Sequence, residues 1–236
     1  MKIATWNLEH GGTRAARRLQ EKELNEVDAH VAVLTEPAPS YVNGPGVVVS
    51  PPRPSGGLPW IAIRGRTVEP IDVPLAYERL GLVAKVGMGT STFIVYGTVL
   101  PWASVKSHAP TVGRTDESSL AVFHRVLNEQ VDDIQGLRRQ FALPVLWIGD
   151  FNCSLVGSTR AGSRERRLLL LAALAKLDLM VWNIDSGHAI EGLSTIDLIC
   201  GPKQWRLRMC GRIPPVHNGI KMSDHAGYWV EVEHRG

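Results

Sequence analysis

A layered α/β domain is the fold class that this sequence predicts, and three observations predict it. Leu143–Ile148 is a short, mostly apolar run bounded by polar residues and Gly149, the pattern of a strand buried on both faces. Roughly ten strand-like runs follow one another along the chain, and three helical segments interrupt them. No repeat, low-complexity block or linker divides residues 1–236, so we expect one domain with strands and helices in layers.

The strand-like runs begin with the first residues of the chain. Most are rich in β-branched or aromatic residues and end at Gly, Pro or a polar residue. In chain order they are Lys2–Trp6, Ala29–Thr35, Gly46–Ser50, Trp60–Arg64, Leu82–Val86, Thr92–Leu100, Leu143–Ile148, Met180–Ile184, Ser194–Cys200, Gln204–Arg212 and Gly227–Val232. Three connecting segments are predicted to be loops: Ser104–Thr115, Ser154–Ser163 and Ile213–Met222.

Three helices are predicted between these strands. Arg14–Val27 follows Thr13, a residue type that caps helix N-termini, and carries apolar residues on one face. Asp116–Gln140 has an apolar stripe at helical spacing, which indicates a core-facing helix. Arg164–Lys176 is the third helix, and three arginines lie in its first turns.

Composition and charge indicate a globular protein but do not identify a binding partner. A hydrophobic content of 44% is ordinary for a globular protein, and a net charge of +3 tolerates a phosphate-bearing partner without implying one. Three cysteines cannot all pair and have no CxxC spacing, which favours a reduced compartment. No secretory signal precedes the first strand, and Leu168–Ala175 is too short to span a bilayer, so we expect a cytoplasmic protein.

Acidic, amide and imidazole side chains stand beside or inside five apolar runs. Asp150 and Asn152 follow the central run at a spacing of two, which on an extended chain points both side chains to the same side. A turn in which the Asp side chain bonds the backbone explains Gly-Asp-x-Asn equally well. The other four positions are Asn7 with Glu9, Glu36, Asp197, and Asp224 with His225.

Five such placements in one domain indicate a shared pocket. Clustered carboxylates repel one another unless a cation lies between them, and hard oxygen ligands suit Mg²⁺ or Mn²⁺. Only one histidine lies among these residues, and no cysteine has ligand spacing, which argues against structural zinc. The chain has no Walker A loop, no GxGxxG after a strand and no GxSxG elbow. Metal-assisted attack of water, most plausibly on a phosphorus centre, is therefore the predicted chemistry.

The motifs TWNLE, VLTE, GDFN, STID and SDH occur in this order from residue 5 to residue 225. Together they resemble the endonuclease/exonuclease/phosphatase family, whose members include DNase I and exonuclease III, over essentially the whole chain. The resemblance implies a four-layer α/β sandwich, in which two central sheets, mainly antiparallel or mixed, are flanked by helices. It also implies a Mg²⁺- or Mn²⁺-dependent phosphoester hydrolase whose site lies along one edge of the sheets.

The resemblance further implies roles for the carboxylates. Glu36 is expected to be the principal metal ligand. Glu9 and Asp224 are expected to be further metal-site carboxylates, and Glu9 stands where many relatives have Asp. Asp150 is expected to position and activate the attacking water.

The remaining matched residues are expected to bind the phosphate. Asn7 and Asn152 would hold its oxygens, and His225 would contact the phosphoryl group. Asp197 would hydrogen-bond His225 and favour its charged form, which suits a pentavalent transition state.

The segment after Thr92–Leu100 departs from the family pattern. DNA-repair relatives carry Tyr-x-Pro-Asn at this place, whereas this chain reads Val99-Leu100-Pro101-Trp102. The tyrosine and the asparagine are missing, which argues against apurinic-site repair. Trp102 either stacks on a base or sugar or packs against its neighbours, and packing is the commoner role for a Trp beside a Pro.

The sequence leaves the substrate class open. A nuclease is the leading hypothesis, with nucleic acid as partner, because three groups of arginines offer contacts to a backbone. The groups are Arg14, Arg17 and Arg18; Arg160, Arg164, Arg166 and Arg167; and Arg206, Arg208 and Arg212. A solvated basic surface explains each group equally well. The alternative is a phosphatase or phosphodiesterase for a small molecule or lipid headgroup, and a binding protein without activity ranks last.

Overall fold

Two six-stranded mixed sheets pack face to face, with helices on their outer sides. The computed structural model describes residues 1–54, 57–89, 91–104, 116–158 and 162–234. Its helices are α1 (Arg14–Val27), α2 (Ser119–Phe141) and α3 (Arg164–Lys176). Its strands are β1 (Lys2–Asn7), β2 (Val31–Thr35), β3 (Val47–Val49), β4 (Ile61–Gly65), β5 (Val68–Pro70), β6 (Gly81–Met88), β7 (Ser91–Val99), β8 (Val145–Asp150), β9 (Leu179–Val181), β10 (Asp197–Pro202), β11 (Arg206–Ile213), β12 (Val216–His217), β13 (Ile220–Lys221) and β14 (Gly227–Glu233).

The strand order brings particular strand ends together. The first sheet runs β11-β14-β1-β2-β4-β3 and the second β5-β6-β7-β8-β10-β9, while β12 and β13 form a separate hairpin. Because β1 and β2 are parallel, their carboxyl ends meet at one edge of the first sheet. Because β8 and β10 are antiparallel, the carboxyl end of β8 lies beside the amino end of β10.

Both faces of the central strands are buried, which explains their continuous apolar runs. In β2, Val31 and Val33 belong to the core between the two sheets, whereas Ala32 and Leu34 face α1. The inner core continues through the second sheet to the apolar stripe of α2, including Phe123. The predicted four-layer α/β sandwich is confirmed.

Helices were predicted more accurately than strand ends. α1 and α3 begin and end at the predicted residues, because Thr13 and Ser163 cap them with side-chain hydrogen bonds to the first turn. The central strand is Val145–Asp150 rather than Leu143–Ile148. It extends further because Asp150 pairs with Val99 on one side and Asp197 on the other.

Two segments differ from the prediction, and some predicted features lie outside the described residues. The loop predicted for Ile213–Met222 contains the β12–β13 hairpin, whose turn residues Asn218 and Gly219 both have positive φ. β5 was not predicted at all, because its three residues carry no strand pattern. Arg160 and most of the predicted loop Ser104–Thr115 lie outside the described residues. In the described part of the chain, no helix has the length and apolarity needed to cross a bilayer.

Candidate active site

Polar side chains from both sheets meet at one edge of the sandwich. The amide of Asn7, at the end of β1, donates to Glu36 Oε1 (3.3 Å) and to Asp150 Oδ2 (3.1 Å). Asp150 is paired in register with Asp197 on the neighbouring strand, and Asp197 contacts His225. One connected cluster therefore contains residues from all five positions that the sequence singled out.

The same local turn holds most of these residues. A side-chain oxygen accepts a hydrogen bond from the backbone N–H two residues later, as in Asx and Ser/Thr turns. The four pairs are Asn7 with Glu9 (3.0 Å), Asp150 with Asn152 (2.9 Å), Thr195 with Asp197 (3.0 Å) and Ser223 with His225 (3.1 Å). GDFN therefore forms the predicted turn, and the same turn fixes Asp150 beside the other polar side chains.

Four of the eight non-glycine residues with positive φ in the described part of the chain lie at this edge. Glu9, His10, Glu36 and Asn152 all have φ between 46° and 56°, the left-handed region that residues with a side chain rarely adopt. Each such residue costs about 1–3 kcal/mol and persists only where the surroundings enforce it. The expectation that Asp150 and Asn152 share one side of an extended chain is wrong, because the backbone turns at Asn152.

Asp197 and His225 form a buried ion pair. His225 Nδ1 donates to Asp197 Oδ2 at 2.6 Å, and the Asp197 side chain has no exposed surface. Burial lowers the pKa of His225, but the negative charge of Asp197 outweighs it and raises the pKa to about 10. The predicted contact between residues 28 positions apart is confirmed. A pKa raised to about 10 keeps the imidazole protonated at neutral pH.

Asp150 is buried, with 2% of its surface exposed, although the sequence suggested a position outside the strand. Burial raises its pKa, and the carboxylate of Asp197 raises it further, to about 7. The charge of His225 and hydrogen bonds from Asn152 and Asn7 act in the opposite direction. Asp150 therefore changes protonation near neutral pH, as a general base should.

Glu36 is ionised at neutral pH. Its carboxylate contacts His10 Nε2 at 3.0 Å and accepts from Asn7. Burial raises the pKa of Glu36, but the hydrogen bond and charge of His10, followed by the bond from Asn7, bring it below its ordinary value. An anionic carboxylate is the form that binds a metal ion.

Glu9 and Asp224 lie at the rim of the cluster. The Glu9 carboxylate pairs with Lys221 at 2.8 Å, and 44% of its side chain is exposed. Asp224 is 55% exposed, and its Oδ1 lies 4.0 Å from His225 Nε2. To bind a metal ion, the Glu9 carboxylate would have to release its ion pair with Lys221.

The cluster fits a hard divalent cation. Asp197 Oδ1 is a buried carboxylate oxygen that has no hydrogen-bond donor among the described residues, and Asp150 faces Asp197 across the strands. Donor atoms of Asp150, Asp197 and His225 lie within 4.8 Å of one another. His225 is a poor ligand while it is a cation, because both of its ring nitrogens then carry protons. The predicted ligands Glu36, Glu9 and Asp224 do not form such a close group among the described residues.

Several contributors were not found from the sequence. His10 pairs with Glu36, and Ser223 Oγ donates to the carbonyl of Asn7 at 2.6 Å. His10 directly follows TWNLE and Ser223 is the first residue of SDH, and this is the sequence signal for them. His188 lies beside His225, with ring centroids 5.4 Å apart, and nothing in its local sequence indicates this.

The segment that replaces Tyr-x-Pro-Asn serves as a support for the site. The carbonyl of Leu100 accepts from the Asn152 amide at 2.9 Å, and that of Pro101 accepts from Arg166 at 2.9 Å. Trp102 is half-buried and packs against Trp60, with ring centroids 5.3 Å apart. This contact agrees with the packing alternative for Trp102.

Some arginines of the predicted basic groups bind carbonyl or carboxylate groups of the protein itself. Arg166 is 5% exposed and holds backbone carbonyls of the segment around Pro101. Arg167 donates to the carbonyls of residues 154, 156, 157 and 158. Arg208 pairs with Glu233, and Arg212 donates to the carbonyl of His188.

Comparison with solved structures identifies the fold. A 3′ phosphatase, NExo, from Neisseria bound to product DNA hairpin matches with a TM-score of 0.69 and 14% identity, over 99% of this chain and 100% of that one. An AP endonuclease from Archaeoglobus fulgidus matches with a TM-score of 0.67 and 16% identity, over 99% and 100%. An endonuclease/exonuclease/phosphatase family protein from Bacteroides thetaiotaomicron matches with a TM-score of 0.63 and 14% identity, over 98% and 97%.

The chain has the endonuclease/exonuclease/phosphatase fold. No protein-family model and no curated protein matches the sequence. Identities of 14–16% establish the fold alone, so the activity is argued from the residues at the edge of the sandwich.

Proposed function

We propose that this chain is a divalent-metal-dependent phosphodiesterase and that its substrate is a nucleic acid. The observation that carries the proposal is the buried cluster in which Asp150, near its pKa, faces the Asp197–His225 ion pair and is joined through Asn7 to an ionised Glu36. A base, a cation and a hard-ligand carboxylate are the groups that phosphoester hydrolysis requires.

Each residue has a distinct task in this proposal. Asp150 accepts the proton of the attacking water. His225 donates from Nε2 to a phosphoryl oxygen and offsets the charge that develops in the transition state. Asn152 has one amide hydrogen beyond its bond to Leu100 and offers it to a second oxygen.

Asn7 has a supporting task. Both of its amide hydrogens already face carboxylates, so it would contact phosphate only by releasing one of them. We therefore assign Asn7 to positioning Asp150 and Glu36. A divalent ion held by the ionised Glu36 would neutralise the phosphate oxygens. Glu9 and Asp224 would have to move towards it to act as further ligands, and Glu9 would have to release Lys221.

Glu36→Gln is expected to weaken binding of Mn²⁺ or Mg²⁺ by about 10-fold or more, since loss of even an indirect partner of a metal ligand costs about that much. The fold should persist, because Gln keeps the size of the side chain and can still bond Asn7 and His10. Calorimetric titration with Mn²⁺ measures the affinity. Glu26→Gln, on the exposed face of α1, is the matched control. Equal affinities of Glu36→Gln and the parent would remove Glu36 from the metal site.

A small phosphoester is the second candidate substrate, and one observation favours it. Arg166 and Arg167 use their guanidinium groups to hold backbone carbonyls, which leaves fewer cations for a nucleic-acid backbone. Arg14, Arg18 and Arg206 are exposed and remain for contacts with phosphates along a strand.

The dependence of KM on salt separates the two candidates. For duplex DNA we expect KM to rise about 10-fold between 50 and 200 mM salt for every two phosphates that the protein neutralises. A bis-aryl phosphodiester offers one phosphate and should change far less. Steady-state kinetics on both substrates, at constant Mg²⁺, measure the two slopes. Equal shallow slopes would favour the small phosphoester.

A further inference from the structure

Residues 186–195 form a closed loop between β9 and β10. The amide of Thr195 donates to the carbonyl of Ser186 at 3.0 Å, and the amide of His188 donates to the carbonyl of Leu193 at 2.8 Å. The two arms of the loop therefore run side by side, as in a hairpin. The backbone conformation at His188 is fixed from within the loop.

Two side chains from the first sheet attach this loop to the active-site edge. Tyr228 on β14 is buried and donates from its hydroxyl to the carbonyl of Gly187 at 2.7 Å. Arg212 on β11 donates to the carbonyl of His188 at 2.9 Å. Both side chains bind carbonyls of adjacent residues, Gly187 and His188. The first sheet, whose strand β14 begins just after His225, therefore also fixes the position of the His188 ring.

The ring of His188 is fixed in one tautomer. Its Nδ1 accepts a hydrogen bond from the amide of Ile190 at 3.0 Å, so in the neutral ring the proton is on Nε2. Protonation of Nδ1 would break that bond and place a second cation beside His225, whose ring centroid is 5.4 Å away. Burial and the charge of His225 both lower the pKa of His188.

The remaining nitrogen is a donor without an acceptor. In the part of the chain that the structure describes, no protein acceptor contacts Nε2 of His188, and although only 9% of the residue is exposed, this nitrogen is not among the buried atoms without a partner and is open to a ligand. An accessible neutral N–H beside an imidazolium suits an anionic oxygen. A neutral donor adds a hydrogen bond there without the repulsion that a second cation would bring.

We propose that His188 is a second phosphate-binding imidazole, whose Nε2–H donates to a non-bridging oxygen of the bound phosphoester beside the cationic His225. This inference rests on the proposed phosphoesterase function. It assigns the residue a contact with substrate in both the ground state and the transition state, so its loss should raise KM more than it lowers kcat.

A pair of substitutions separates substrate binding from support of the loop. His188→Asn keeps an oxygen near the position of Nδ1, so it can still accept from Ile190, but it has no group at the position of Nε2. His188→Gln places an amide donor near Nε2 and lacks the Nδ1 acceptor. We expect His188→Asn to lower kcat/KM on a bis-aryl phosphodiester about 10- to 100-fold, the range for a hydrogen bond to a charged group. His188→Gln should recover part of this loss.

A role in the loop alone would give the opposite order. His188→Asn would then equal the parent in kcat/KM, and His188→Gln would be the weaker enzyme and the less stable protein; that order overturns the proposal. His124→Asn, an exposed position on α2, controls for loss of a histidine elsewhere. Melting temperatures of all variants identify any loss of folded protein.

Histidine ¹⁵N NMR tests the contact without turnover. We expect His188 to be neutral with its proton on Nε2, and we expect its Nε2 and Hε2 resonances to shift on addition of inorganic phosphate with Mg²⁺. The shift should be absent for phosphate added to His188→Asn. If the parent hydrolyses no phosphoester, the proposed function fails, whereas the phosphate shift still decides whether His188 binds the anion. No shift at saturating phosphate would overturn the assignment.

Discussion

Asp150→Asn is expected to lower kcat by about 10²- to 10⁴-fold, the usual contribution of a general base. The amide keeps the size of the side chain, and its oxygen can still accept from the amide of Asn152, so the turn should survive. What is lost is the group that accepts the proton of the attacking water. Activity within about threefold of the parent, well inside that range, would mean that GDFN is only a turn.

The same substitution should not destabilise the protein. The pKa of Asp150 is about 7 in the folded state and near 3.8 when unfolded, so the folded state binds the proton more tightly. Stability from this group is complete below pH 3.8 and is lost as the pH rises through about 7. At pH 8, without divalent metal, Asp150→Asn removes the cost of burying this charge but also the acceptor of the bond that Asn7 donates to Oδ2, so its melting temperature should stay close to that of the parent. Asp132→Asn, exposed on α2, is the control for both measurements.

Asp197→Asn is expected to lower kcat at pH 8 by about 10²- to 10³-fold, comparable to the loss of a charge-stabilising donor. Asp197 is what keeps the buried His225 protonated, so without it burial should bring the pKa of His225 down from about 10. The backbone should stay in place, because Asn183 and Thr195 both donate to the carbonyl of residue 197.

The pH profile distinguishes this cause from a damaged fold. Below the lowered pKa the His225 imidazole regains its proton, so activity of Asp197→Asn should rise as the pH falls from 8 towards 6. Asp150 stays ionised further into this range, because the carboxylate that raised its pKa is gone. NMR titration of His225 with the pH–rate profile measures both effects. A profile parallel to that of the parent would contradict the assigned role of Asp197.

The sequence predicted features that depend on local chemistry. Thr13 defines the start of α1 because its hydroxyl accepts from the first turn, and that signal is complete within four residues. The contact of Asp197 with His225 was predicted through the ordered motifs, since nothing local joins residues so far apart. The parallel pairing of β1 with β2 and the antiparallel pairing of β8 with β10 place the predicted side chains at one edge of the sandwich.

Features that depend on tertiary packing were missed. Asp150 looks like a loop residue in sequence but is buried, because both neighbouring strands continue past Gly149. Arg166 looks like a surface cation, yet its guanidinium binds the carbonyl of Pro101, 65 positions away. His188 reaches His225 only because Tyr228 and Arg212 hold its loop. No periodicity or motif encodes such contacts.

The central claim is that this edge of the sandwich hydrolyses phosphoesters with a divalent metal, and a Mg²⁺-dependent activity screen tests it most directly. The parent and Asp150→Asn would be compared on plasmid DNA, single-stranded DNA, RNA, a bis-aryl phosphodiester and a set of phosphomonoesters, each with Mg²⁺ and with EDTA. We predict hydrolysis of at least one diester by the parent, lost in EDTA and reduced about 10²-fold or more by Asp150→Asn. Equal rates with Mg²⁺ and EDTA, or equal rates for the two proteins, would contradict the account.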